Sequence, residues 1–154
     1  MGKMRGLTKQ ELYDFLSRSS IIARLAIVKH DGSPYIVPVW YEYDGENFYI
    51  ISRAKSAWVN YLKREPRVAL QISFDAPPYT RVLVEGDAEI VEGPVVGGKW
   101  VEIAKKMASR YLGERGPEYL VPTLNRPRYL IKIAPRKITS WEGVEWHPKY
   151  IDLE

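Results

Sequence analysis

The chain of 154 residues contains no cysteine and only two histidines, His30 and His147. Without cysteine there is no disulfide framework, no thiolate nucleophile and no cysteine-ligated zinc, and two imidazoles leave little for a metal site. Metal chemistry is therefore not expected. No run of about 18 uninterrupted apolar residues exists to span a bilayer, and the opening MGKMRGLTKQEL lacks the apolar core of a secretory signal. The expectation is a cytoplasmic protein with no membrane partner. Charge of one sign is also scarce, since 23 basic and 19 acidic side chains leave a net charge of +4. So mild and dispersed an excess suits a small anionic ligand and does not indicate nucleic acid. The 11 Tyr and 5 Trp are interspersed among core positions and form no basic stacking platform. Neither histidine has a Ser and Asp arrangement around it, and no nucleophile-elbow glycine motif appears. Glu85 and Asp87 alternate across Gly86 within a strand pattern and read as surface charges. A hydrolase is not expected.

What is present is enough apolar side chain, 45% of the residues, for a proper core, and the expectation is one domain over 1–154. TKQELYDFLSRS begins with Thr8 and carries Glu11 three residues later, a capping box, so residues 8–19 read as a helix within an N-terminal segment 1–20. Three β-rich runs follow, near 21–29, 34–43 and 47–53, separated by HDGS and DGEN, whose Asp-Gly pairs supply the positive φ of tight turns. Pro38 cannot donate a ladder hydrogen bond, which places the second run at an edge or makes it irregular. SAWVNYLKR then reads as a short helix with a Ser56 cap, stopped by Pro66. RVALQISF and TRVLVEGDAEIV are strands, VGGKWVEIAKKMASRYLG is an amphipathic helix ending at Gly113, RYLIKI is a sixth strand, and PRKITSWEG offers a last one before an extended tail over 142–154. The absence of βαβ alternation predicts a mainly β fold with helices: an antiparallel barrel of six to seven strands with flanking helices.

SRAKSAWV, residues 52–59, places Arg53 and Lys55 beside the hydroxyls of Ser52 and Ser56, between a strand and a helix. An anion there would meet unpaired amides, the positive end of the helix dipole and two cations, a combination suited to phosphate. The same residues also suit an ordinary N-cap flanked by solvated cations, and the local sequence does not choose between these. GPVVGGKW, residues 93–100, has the glycine and lysine spacing of a P-loop, but Trp100 stands where a magnesium-ligating hydroxyl belongs and no parallel sheet surrounds it. It reads as a flexible connection.

The ordered set PYIVPVWYEYDGENFYIIS, RAKSAW, YLKREPRVALQI and YTRVLVEGDAEIV, with PRKITSWEG near the end, resembles the pyridoxamine 5'-phosphate oxidase-like family of FMN-binding split barrels. The resemblance implies a homodimeric split β-barrel holding two FMN molecules in grooves between subunits. It implies that Val37, Pro38, Val39, Trp40 and Tyr41 lie along the isoalloxazine ring, with Ile51 and Ser52 on the neighbouring strand. Arg53, Lys55, Ser56 and Trp58 would surround the phosphate. Gln71, Arg81 and Trp141 would come from the other subunit, Arg81 near a position where the oxidase has glutamine. Redox chemistry at a small-molecule substrate would then belong to the cofactor, with no side-chain acid or base required. The oxidase clamps its phosphorylated substrate with an Arg-x-His segment, whereas the tail EGVEWHPKYIDLE offers only His147 and Lys149 as counterparts. Within the same fold the alternatives are a deazaflavin-dependent reductase, whose phosphate and acidic tail also favour a basic groove, and a non-enzymatic flavin or haem binder with His30 or His147 as axial ligand.

Overall fold

A computed structural model describes residues 4–18, 20–146 and 149, so His147 lies outside the described residues. Elements follow the chain as β1 (Arg5–Gly6), α1 (Lys9–Leu16), β2 (Ala23–Val28), β3 (Pro34–Val39), β4 (Glu42–Tyr43), β5 (Phe48–Arg53), α2 (Ala57–Arg64), β6 (Arg67–Ser73), β7 (Arg81–Val95), α3 (Trp100–Leu112), a 3-10 helix (Gly116–Thr123) and β8 (Arg128–Glu142). The capping box forms as expected: Glu11 N donates to the Thr8 hydroxyl and Thr8 N to the Glu11 carboxylate. The helix it starts is shorter than the sequence suggests and ends at Leu16. The two Asp-Gly turns place Gly32 at φ 85° and Gly45 at φ 95°, the left-handed region that glycine enters without steric cost.

The strands form one antiparallel sheet of eight in the order β3-β2-β6-β7-β8-β5-β4, with β1 added on β8. β3 and β4, at the two ends of that order, follow one another through Trp40 and Tyr41. Among the described residues no ladder joins them, so the sheet curls into a barrel that stays split there. Two of the eight strands are two-residue pieces, β1 and β4, and the run expected at 34–43 is broken at Trp40. A second correction concerns RYLIKI and PRKITSWEG, which are not two strands but one, β8, of 15 residues. Pro135 does not break it because the ladder shifts register beside Gly86, with Arg136 as the extra residue. A side chain on Gly86 would press on the Ala134 carbonyl, so the close approach at this bulge requires glycine. The connection expected at 93–100 is also partly strand, since β7 runs on to Val95.

Period-two alternation then separates two cores. Leu25, Ile27, Phe48, Ile50, Leu70, Ile72, Val82, Val84, Ile131 and Ile133 fill the barrel, and α2 adds Trp58, Val59 and Leu62. On the opposite side of β5 and β8, Leu130 and Ile51 pack with Trp100, Ala104 and Ala108 of α3 and Leu120 of the 3-10 helix. Trp100 anchors this second layer: it is fully buried, its indole N–H donates to the Val95 carbonyl at 2.8 Å, and the Arg128 guanidinium lies 4.5 Å from its ring centre. α3 is thereby fixed over β4, β5 and β8, with its Tyr111 stacked on Trp40.

Candidate functional site

β5 ends at Arg53, and α2 begins four residues later. Arg53 and Lys55 are exposed, and the side chain of neither forms an ion pair or hydrogen bond among the described residues. Ser56 occupies the N-cap position in extended conformation, φ −67° and ψ 117°, yet its side chain makes no capping bond. The first amides of α2 are therefore left without the acceptor that a serine cap ordinarily supplies. No acidic residue stands in the first turn, while Lys63 and Arg64 occupy the last. Arg53, Lys55 and Ser56 thus flank the start of α2 with side chains that have no hydrogen-bond or ion-pair partner among the described residues. Trp58, from the same stretch, turns into the barrel core at 8% exposure.

Alternation sorts the remaining nominated residues. Ser52 points into the barrel with Phe48 and Ile50, and its buried hydroxyl has no hydrogen-bond partner among the described residues. Ile51 and Arg53 point the other way, Ile51 into the layer under α3. Val37 and Val39 pack on the barrel core, whereas Pro38 is exposed on β3, an edge strand as its proline predicts. Trp40 stacks on Tyr111 with centroids 4.9 Å apart and planes 5° from parallel. Tyr41 is fully buried, donates its hydroxyl to the Leu16 carbonyl at 2.6 Å and its backbone N–H to the Tyr111 hydroxyl at 3.3 Å, so its side chain and its amide are both engaged within the fold. Burial also pushes its phenol well above the usual tyrosine range.

Gln71, Arg81 and Trp141 lie elsewhere, on the outward face of β6, β7 and β8. Register carries rows across this face: Pro38, Arg24, Gln71, Leu83 and Thr139 in one, Ile36, Ala26, Ala69, Glu85 and Lys137 in the next, and Ser73, Arg81 and Trp141 in a third. Ile36 is 64% exposed and Leu83 41%. Arg81 is already engaged, donating to the carbonyls of Tyr79 and Gly143, with its guanidinium 5.3 Å from the Trp141 ring centre. Beside it, Met4, Tyr79, Val144, Glu145 and Trp146 line a cavity of about 340 Å³.

No linear motif signals a larger cavity, about 550 Å³, between β4 and α3, lined by Glu42, Lys106, Ser109 and Arg110 among others. Glu42 sits 3.9 Å from Arg110 Nε, and burial raises its carboxyl above the usual range. Arg110 donates to the Leu16 carbonyl at 3.0 Å and lies over the rings of Tyr41 and Tyr111. Arg24 was likewise missed, although the outward alternation of Arg24, Ala26 and Val28 along β2 is the signal that places it on the open face. His30 is exposed in its turn, its Nε2 3.3 Å from the Asn60 carbonyl and its ring edge-on to Tyr61. Among the described residues there is no His, Cys, Asp and Glu cluster able to hold a metal ion, and no helix long and apolar enough to cross a membrane.

The sequence of residues 8–142 matches the family model described as pyridoxamine 5'-phosphate oxidase. Among solved structures, the conserved hypothetical protein Rv2991 from Mycobacterium tuberculosis is 29% identical, with 92% of this chain and 90% of that one covered and a TM-score of 0.69. A protein described as F420 reductase is 26% identical over 81% of this chain and 93% of its own, with a TM-score of 0.65. A FAD-binding protein from Mesorhizobium loti shares the fold at 22% identity, covering 93% and 98%, with a TM-score of 0.64. Among curated proteins none matches the chain.

Proposed function

Because the chain belongs to the pyridoxamine 5'-phosphate oxidase family, we propose that it is a flavin-dependent oxidoreductase that binds FMN between the subunits of a homodimer. One observation carries this reading: Arg53, Lys55 and Ser56 stand within four residues at the start of α2, with no acid in its first turn, no Ser56 capping bond and, among the described residues, no side-chain partner. A dianionic phosphate fits that donor set, because charge-assisted bonds and helix amides favour it over water. Arg53 and Lys55 would hold the phosphate by charge, and the Ser56 hydroxyl and the amides of Ala57 and Trp58 would fix its orientation.

When bound, the flavin supplies hydride chemistry. The chain's part is to bind, orient and keep water away. The Pro38 to Tyr41 segment, at the end of edge strand β3, would lie along the ring, with Trp40 held in place by its stack on Tyr111. The exposed rows through Ile36, Leu83 and Gln71 are best covered by a second copy of the chain. In that arrangement Gln71 and Trp141 close the groove from the other subunit. Arg81 would contribute there through its packed position, since its donors are already taken by two carbonyls.

A deazaflavin is the second reading, favoured by the 26% identity to a protein described as F420 reductase. It would use the same phosphate donors. The visible spectrum of the purified protein before and after adding FMN separates the two: an oxidised flavin band, with free FMN released on denaturation, supports the first reading. A protein that leaves added FMN spectrally unchanged and takes up a deazaflavin instead overturns it.

A further inference from the structure

Arg24 projects from the middle of the bare five-stranded face. Its ladder neighbours are Pro38 on one side and Gln71 on the other, both implicated in the flavin site, and the same rows place Ala26, Ile36 and Leu83 around it. It is the only cation in its row. Its own contacts are weak. Nη1 reaches Gln71 Oε1 at 3.4 Å, beyond ordinary hydrogen-bond length, and Nη2 lies 3.8 Å from an Asp75 carboxylate whose side chain is 77% exposed. An ion pair that long and that solvated contributes little. The Gln71 amide is meanwhile drawn toward the Ser73 hydroxyl at 2.7 Å, which in turn lies 3.4 Å from Asp75. Among the described residues, most of the five N–H donors of Arg24 are therefore open.

Such a residue is costly if it is merely covered by a second subunit, because a guanidinium taken from water without a partner loses its hydration uncompensated. It is favourable if the covering surface brings a planar acceptor with negative charge. Guanidinium is flat, always charged and suited to pairing with an adjacent carbonyl and nitrogen in one plane. The pyrimidine edge of a flavin is such an acceptor, and the two-electron-reduced ring carries one negative charge there that the oxidised ring does not.

We infer that Arg24 faces the pyrimidine edge of the ring held in the partner subunit's groove and favours its reduced, anionic form over its oxidised form. This rests on the flavin reading above. The tuning is electrostatic, so Arg24 is not required for docking the phosphate, which belongs to Arg53, Lys55 and Ser56. A half-buried side chain on the outer face of a sheet tolerates the substitutions needed to test this.

The test is the midpoint potential of FMN bound to the full-length protein, measured by dithionite reduction with a reference dye, together with the affinity for oxidised FMN. Arg24→Gln and Arg24→Met are expected to weaken the reduced form on the order of tenfold more than the oxidised form, lowering the potential by about 30 mV for a two-electron couple. Arg24→Lys, which keeps the charge, should change that ratio less than about twofold, or about 9 mV. Wild-type potential in both neutral variants overturns the role of Arg24 while leaving the flavin reading intact. A wild-type protein that binds no flavin overturns that reading first, and Arg24's role with it. Should Arg24→Gln fail to fold by circular dichroism, Arg24→Met and Arg24→Lys decide alone.

Discussion

Replacing Arg53 and Lys55 together by alanine tests the phosphate cradle most directly. Each charge-assisted hydrogen bond lost costs about 1.5 to 3 kcal/mol. Both side chains are exposed, so the low end applies, and the pair should cost about 3 kcal/mol, on the order of 100-fold in FMN affinity. Ser56→Ala adds a separate discrimination. An ordinary serine cap lost to alanine destabilises a protein by about 1 kcal/mol. Here the hydroxyl makes no capping bond, so thermal stability without ligand should stay nearly unchanged while FMN affinity falls severalfold. Fluorescence titration with FMN and with riboflavin, which has the same ring and no phosphate, provides the assay. Riboflavin affinity should hold within about twofold in every variant if each acts through the phosphate alone. Salt should weaken FMN and spare riboflavin, because exposed charge pairs are screened. Equal losses for both ligands, or no loss for FMN, would refute the placement of the phosphate at the start of α2.

Trp100→Ala removes a fully buried indole that anchors α3 and should cost about 3 to 5 kcal/mol in chemical denaturation; a loss below about 1 kcal/mol would contradict the second core. Glu11 carries the capping box and a salt bridge to Arg5, bonds that hold its carboxyl at about 2 against a usual 4.5. Since the folded carboxyl is depressed, its contribution is fully present above about 4.5 and is lost as pH falls toward 2. Unfolding curves of wild type and Glu11→Gln should therefore converge as pH falls through that window, and a gap independent of pH would sink the assignment. Leu83→Asp puts a charge in the centre of the bare face; sedimentation should show monomers, with FMN affinity falling in parallel, and a dimer that survives unchanged would place the subunit contact elsewhere.

Local signals carried most of the fold. The Thr8 and Glu11 pair, the two Asp-Gly turns, Pro66 after α2 and Gly113 after α3 act within a few residues of themselves, and each appears where its chemistry puts it. What sequence misjudged needed a partner strand to be seen. Pro135 reads as a break until Gly86 across the ladder supplies the bulge that accommodates it. Gly116, too, has a reason invisible in its neighbours: a side chain there would collide with the Ala108 carbonyl, so only glycine lets the 3-10 helix lie against α3. β1 and β4 exist only because β8 and β5 offer them edges, since two residues carry no periodicity of their own.

The candidate site divides in the same way. A contiguous motif such as SRAK cannot present all its side chains to one ligand, because successive residues of a strand point to opposite faces. Ser52 therefore goes inward and Arg53 outward, and on the proposed reading Lys55 and Ser56 join Arg53 only past the end of β5, where the chain leaves the sheet. The complementary half of the site obeys the opposite rule: Arg24, Gln71 and Leu83 are far apart in sequence but adjacent in register. No linear motif could have announced them, whereas any two-fold partner docking on that face must meet all three at once. A cofactor bound between such surfaces takes its phosphate contacts from one local segment and its ring contacts from a sheet assembled over long range. Mutations at the two halves should accordingly separate anchoring from redox tuning.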